Sequence, residues 1–73
     1  QIETLQFHIK EANKMTAKPL SQLKLKKGVL IAAIIRKGKT IFPTGEDTLE
    51  VGDKLLVTTL LPNITKIYDL IAR

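Results

Sequence analysis

The chain has 73 residues, no cysteine, 44% hydrophobic residues and a net charge of +5. A domain of this size buries only roughly 60% of its unfolded surface, enough for one small core, and the lack of cysteine excludes disulfides and thiolate-held metal and points to a reducing compartment. No apolar run approaches the roughly 18 residues of a membrane-spanning helix, and Gln1-Ile2-Glu3 carries neither a signal peptide nor an initiating Met, so one domain cut from a longer protein is expected.

Leu5, Phe7 and Ile9 alternate with Gln6, His8 and Lys10, the period of a half-buried strand. Residues 11 to 18 are polar with little periodicity and read as a connection. Pro19 then suits the first position of a helix of one or two turns, with Leu20, Leu23 and Leu25 facing inward.

Val29 to Ile35 is an unbroken apolar run between Gly28 and the turn Arg36-Lys37-Gly38-Lys39, which reads as a central strand buried on both faces. Strict alternation puts Val29, Ile31, Ala33 and Ile35 on one face and Leu30, Ala32 and Ile34 on the other. Seventy-three residues cover one such face, and the second calls for a partner. The Lys37-Gly38 turn folds Thr40-Ile41-Phe42 back as a short antiparallel strand that ends at Pro43.

Thr44 to Asp47 reads as a turn, and Leu49 and Val51 supply apolar anchors before a tight reversal at Gly52-Asp53, where the Asp carboxylate can accept from nearby backbone N–H groups. A strand follows over residues 54 to 60. Ile64, Ile67, Tyr68 and Ile71 recur at helical spacing and predict a C-terminal helix that starts at Pro62 or Asn63. The expected fold is therefore α+β, in the order β-α-β-β-β-α, with helices packed on a small antiparallel or mixed sheet.

Charge is unevenly placed. Residues 10 to 39 hold nine of the twelve basic residues and one acid, Glu11, whereas residues 46 to 53 hold four acids and no base. The basic segment suits an anionic ligand or simply a solvated face. It also raises the alternative of a small nucleic-acid-binding module, although it contains no aromatic residue to stack a base and no reading motif, so no nucleic acid is expected.

Side chains able to do chemistry are scarce. His8 lacks companions at metal-ligand spacing, and no metal site is expected. Ser21 has no base or acid in sequence context, and Glu46-Asp47 are adjacent turn residues facing water, so no catalytic residue is assigned and an enzyme is the least supported class. The glycines stand singly at turns rather than in a phosphate-cradling cluster, and no cofactor is assigned to this domain.

Taken as an ordered set, Pro19-Leu20, Leu23-Lys24-Leu25, Gly28 to Arg36, Ile41-Phe42-Pro43-Thr44-Gly45 and Leu49 to Val57 resemble the C-terminal ligand-sensing domain of RCK proteins, the TrkA-C domain of Trk-type potassium-uptake regulators. The likeness spans essentially the whole chain. It implies a cytoplasmic, noncatalytic regulatory domain that dimerises, follows a Rossmann-like nucleotide-binding domain in the full-length chain, and serves a membrane potassium channel or transporter subunit.

In some relatives the dimer cleft takes cyclic di-AMP through an Asp-x-Arg element, an Asn at the start of the central strand and aliphatic side chains around a Pro. Here Lys24 and Lys26 stand at the Asp and Arg places, Leu30 falls near the Asn place, and Ile31 and Pro43 keep the apolar wall. The resemblance thus implies ligand-binding candidates Lys24, Lys26, Leu30, Ile31, Arg36 and Pro43 for a small anionic ligand, with cyclic di-AMP bound weakly or not at all. A symmetric homodimer is expected through Leu20, Leu23, Leu30, Ala32 and Ile34.

Overall fold

The structure is a computed structural model and describes residues 1–72. Four antiparallel strands form one sheet in the order β1-β4-β2-β3: β1 (Glu3–His8), β2 (Val29–Arg36), β3 (Lys39–Ile41) and β4 (Lys54–Thr59). The expected strands all form, and every pairing is antiparallel.

Opposed residues in such ladders share a face, so the register sorts the sheet into rows. One face carries Leu5–Val57–Ile31 and Phe7–Leu55–Ile34–Ile41; the other carries Thr4–Thr58–Leu30, Gln6–Leu56–Ala33 and His8–Lys54–Ile35–Thr40.

The central strand departs from strict alternation. Ile31 faces Val57 and Ala33 faces Leu56, so Ala32 is an extra residue with no opposite number, a β-bulge. The bulge turns Ala33 and Ile35 to the side of Leu30, and Ile34 to the side of Val29 and Ile31. This corrects the face assignment expected from a period of two.

The β2–β3 turn forms at Lys37-Gly38 with φ of 51° and 77°, positive at both central residues as the tight two-residue hairpin turn requires. At the other reversal Gly52 adopts φ 97°. That turn is clasped by β1's end: the Gly52 N–H donates to the Ile9 carbonyl at 2.7 Å, and the Ile9 N–H to the Asp53 carbonyl at 2.8 Å.

In place of helices, the described residues contain single 3-10 turns at Lys14–Thr16, Leu20–Gln22 and Ile67–Leu70. The helix of one or two turns expected from Pro19 is instead a 3-10 turn, with Pro19 before it as the N-cap rather than at its first position; it is fastened to the neighbouring loop by Leu20 N–H to the Asp47 carbonyl (2.8 Å) and Ser21 N–H to the Gly45 carbonyl (2.9 Å). The C-terminal helix does not form. Ile64, Thr65, Ile67 and Ile71 are β-branched and the segment is too short to hold a helix by propensity alone. Instead the Asp69 carboxylate takes the Thr65 and Lys66 N–H groups, both at 2.9 Å, while Ile71 extends and pairs with Leu25.

The core lies on one side of the sheet only. Ile31, Ile34, Leu55 and Val57 project into it, and Ile9, Met15, Leu49 and Leu70 close it from the loops and turns. Phe7, Leu20, Leu23, Leu25, Ile41, Ile64 and Ile67 pack partly buried around that cluster. Met15, in the segment read as a polar connection, is completely buried. Asn13 holds it there by accepting from the Met15 N–H at 2.7 Å and giving the turn its cap.

Candidate functional site

Arg36 ends β2 on the core side of the sheet and meets the 50–53 turn. Its Nε donates to Asp53 Oδ1 and its Nη2 to Asp53 Oδ2, both at 2.9 Å, while Nη2 also donates to the Thr48 carbonyl at 3.0 Å. Nη1 lies 3.1 Å from Glu50 Oε2. The fork and the carboxylate match in two parallel bonds, the geometry that distinguishes Arg from Lys.

Burial pushes the Asp53 carboxyl up, but the Arg36 bonds and charge and the Glu50 N–H at 2.8 Å outweigh it and hold the group below the usual carboxylate range. The same pairing raises Arg36. With every guanidinium nitrogen occupied by the protein itself, Arg36 serves the fold. The backbone-accepting role anticipated for Asp53 is present; its partner Arg36 was not foreseen, because 17 residues separate the two.

The other ligand candidates fall in different places. Segment 24–26 is tied to the C-terminal segment by Lys26 N–H to the Leu70 carbonyl (2.8 Å) and Ala72 N–H to the Lys24 carbonyl (2.6 Å). Lys24 thereby lines a groove of about 500 Å³ with Lys14, Ala17, Lys18, Gln22, Leu23, Ile71 and Ala72. Leu30 lines a separate hollow of about 280 Å³ with Ile2, Val29, Thr58 and Leu60. Ile31 is buried in the core, Lys26 is half-buried, and Pro43 lies half-buried just past β3. The six candidates do not converge on one cavity within a protomer.

Of the interface candidates, Leu30 is 61% exposed on the open sheet face, whereas Ile34 is fully buried in the protomer's own core. Leu20 and Leu23 pack partly buried against that core, and Ala32 is the bulge residue. The open face is apolar along its middle. Leu30, Leu56 and Ile35 are 61%, 38% and 37% exposed, and Phe42, just past β3, is 78% exposed. Leu56 and Ile35 escaped the sequence reading for want of the bulge and the register; the alternation of residues 54 to 59 was the available signal.

His8 stands exposed at the end of β1. Among the described residues no group of three or more His, Asp or Glu side chains is placed to hold a metal ion, and no helix is long and apolar enough to cross a membrane. Half-buried Asp69 is held below the ordinary carboxylate range by the Thr65 and Lys66 N–H groups.

The chain is similar to Trk system potassium uptake protein TrkA homolog 1 of Methanosarcina mazei, 29% identical over 58 residues that make up 80% of this chain and 13% of that protein. It is also similar to TrkA homolog 2 of the same organism, 25% identical over 68 residues, 93% of this chain and 15% of that protein. The chain thus spans only a small part of the length of these curated relatives. The TrkA-C domain family matches residues 5–72, and the chain belongs to that family.

Proposed function

We propose that this TrkA-C domain is a noncatalytic regulatory module that dimerises and senses a small ligand within a regulator of potassium uptake or related cation transport. In the full-length chain it works in the cytoplasm beside a Rossmann-like nucleotide-binding domain and, through it, on a membrane potassium channel or transporter subunit. Family membership and the names of the two similar proteins support the potassium-uptake setting.

The observation that carries the reading is the bare sheet face. Leu30, Leu56 and Ile35 lie on adjacent strands, on the side opposite the core, and no element among the described residues covers them. Contiguous apolar surface of this kind marks an interaction site, and a twofold axis supplies the cover by setting the same patch against itself. Each aliphatic side chain fully buried there contributes about 1.5–3 kcal/mol. Thr4, Thr58, Gln6, His8 and Lys54 flank the patch with polar groups, the rim such interfaces have. The interface proposed here keeps Leu30 from the expected set and replaces Ile34, which is spent on the core, with Leu56 and Ile35.

The test is made in the full-length protein, assayed by potassium uptake in cells that depend on it. A Leu30→Asp/Leu56→Asp double variant is expected to accumulate at normal levels and fail to regulate uptake. Full regulation by that variant would remove the bare face from the mechanism.

A further inference from the structure

The groove lined by Lys24 adjoins a second hollow of about 370 Å³, lined by Lys14, Tyr68, Ile71 and Ala72; the two share Lys14, Ile71 and Ala72 in their walls. Residues 14–24 and the C-terminal segment together build this two-part trough. Lys14 opens the 3-10 turn whose Met15 is anchored in the core and Lys18 follows that turn, Lys24 sits on the segment bridged to Ile71 and Ala72, and Tyr68 belongs to the turn that buries Leu70.

Lys14, Lys18 and Lys24 line the trough, while among the described residues its walls carry no carboxylate and the only ion pairs are those of Arg36. Its floor is apolar, from Leu23, Ile71 and Ala72. Cationic groups of one sign beside a low-dielectric wall focus their field on an anion in the cleft. In the second hollow Tyr68 stands half exposed, at 51%, and presents a flat ring to solvent.

We propose that this trough binds an organic polyphosphate carrying a planar ring, the chemistry of a nucleoside triphosphate: the lysines take the phosphate chain and Tyr68 stacks the ring. The volume suits a ligand of that size. Three separate ammonium groups meet the spread-out charge of a phosphate chain, and an aromatic face takes any base. The proposal rests on the ligand-sensing half of the function given above and does not depend on self-association.

Titration calorimetry of the 73-residue protein with ATP, and with tripolyphosphate as the ring-free probe, tests it. ATP is expected to bind, and each of Lys14→Gln, Lys18→Gln and Lys24→Gln to weaken it about two- to fivefold, the effect of one exposed charge, with the triple variant showing no measurable heat. An equal loss of charge elsewhere, Lys10→Gln/Lys27→Gln/Lys39→Gln, leaves ATP affinity within about twofold. Tyr68→Leu is expected to weaken ATP about fivefold or more while tripolyphosphate binds unchanged. Thermal melts confirm that each variant folds, and sedimentation shows whether the trough variants still self-associate, so failure at the trough and failure of the dimer are separate results. No heat with ATP, equal losses from both sets of lysine changes, or indifference to Tyr68→Leu would overturn the assignment.

Discussion

Arg36 and Asp53 join β2 to the start of β4 by two parallel hydrogen bonds of 2.9 Å, across a chain separation of 17 residues. Asp53's side chain is 1% exposed and Arg36's 23%. Because the carboxylate is inside, the pair's removal is felt unequally. Arg36→Met leaves a buried negative charge with the Glu50 N–H as its remaining donor, and is expected to cost about 3–5 kcal/mol, whereas Arg36→Met/Asp53→Leu costs less than the sum of its parts. Urea unfolding of the two single variants and the double gives the comparison.

Acid should act through the same pair. The native Asp53 carboxyl takes its proton at lower pH than in the unfolded chain, where the ordinary value is about 3.9. Between those two values the unfolded state binds more protons than the native one, so stability is full above the unfolded value and is lost as pH falls through the native value. Asp69, also held low, acts in the same direction. Unfolding midpoints followed downward from neutral pH should fall steeply on the acid side, with a shallower acid limb in Asp53→Asn.

Gly52's own part in its turn is a backbone one. With φ at 97° and nothing within 4 Å of where a Cβ would stand, Gly52→Ala meets no steric obstacle but carries the left-handed penalty of about 1–2 kcal/mol. The variant should fold with its ladder intact and melt lower.

Met15→Ala is expected to cost about 2–5 kcal/mol, a core-residue loss, although its neighbours in sequence are polar. Lys10→Ala, at an exposed site, should stay within about 0.5 kcal/mol of the parent. Equal effects of the two in chemical denaturation would contradict the burial of Met15.

What the sequence made legible was the part governed by local alternation and turn chemistry. Leu5, Phe7, Leu55 and Val57 sit as a period of two requires, and Lys37-Gly38 and Gly52-Asp53 turn where glycine permits. What it hid depends on contacts between distant segments. Ala32 bulges against β4, which reverses the sides of Ala33 and Ile34; Met15 is buried by residues far along the chain; and Ile71 gives up helical spacing to pair with Leu25. The site suffered most for the same reason. Arg36, a ligand candidate, is consumed by Asp53, and Lys24 gains Lys14 and Lys18 as neighbours in a groove that no short motif announces.

The bare face is tested most directly by sedimentation equilibrium across the micromolar range. The unmutated protein should sediment as a dimer of its 8.1 kDa protomer. Leu30→Asp and Leu56→Asp should yield folded monomers, Val51→Asp, on the exposed turn, should remain a dimer, and Ile34→Asp should fail to fold. An unmutated protein that stays monomeric throughout, or Leu30→Asp and Leu56→Asp variants that stay dimeric, would contradict the account.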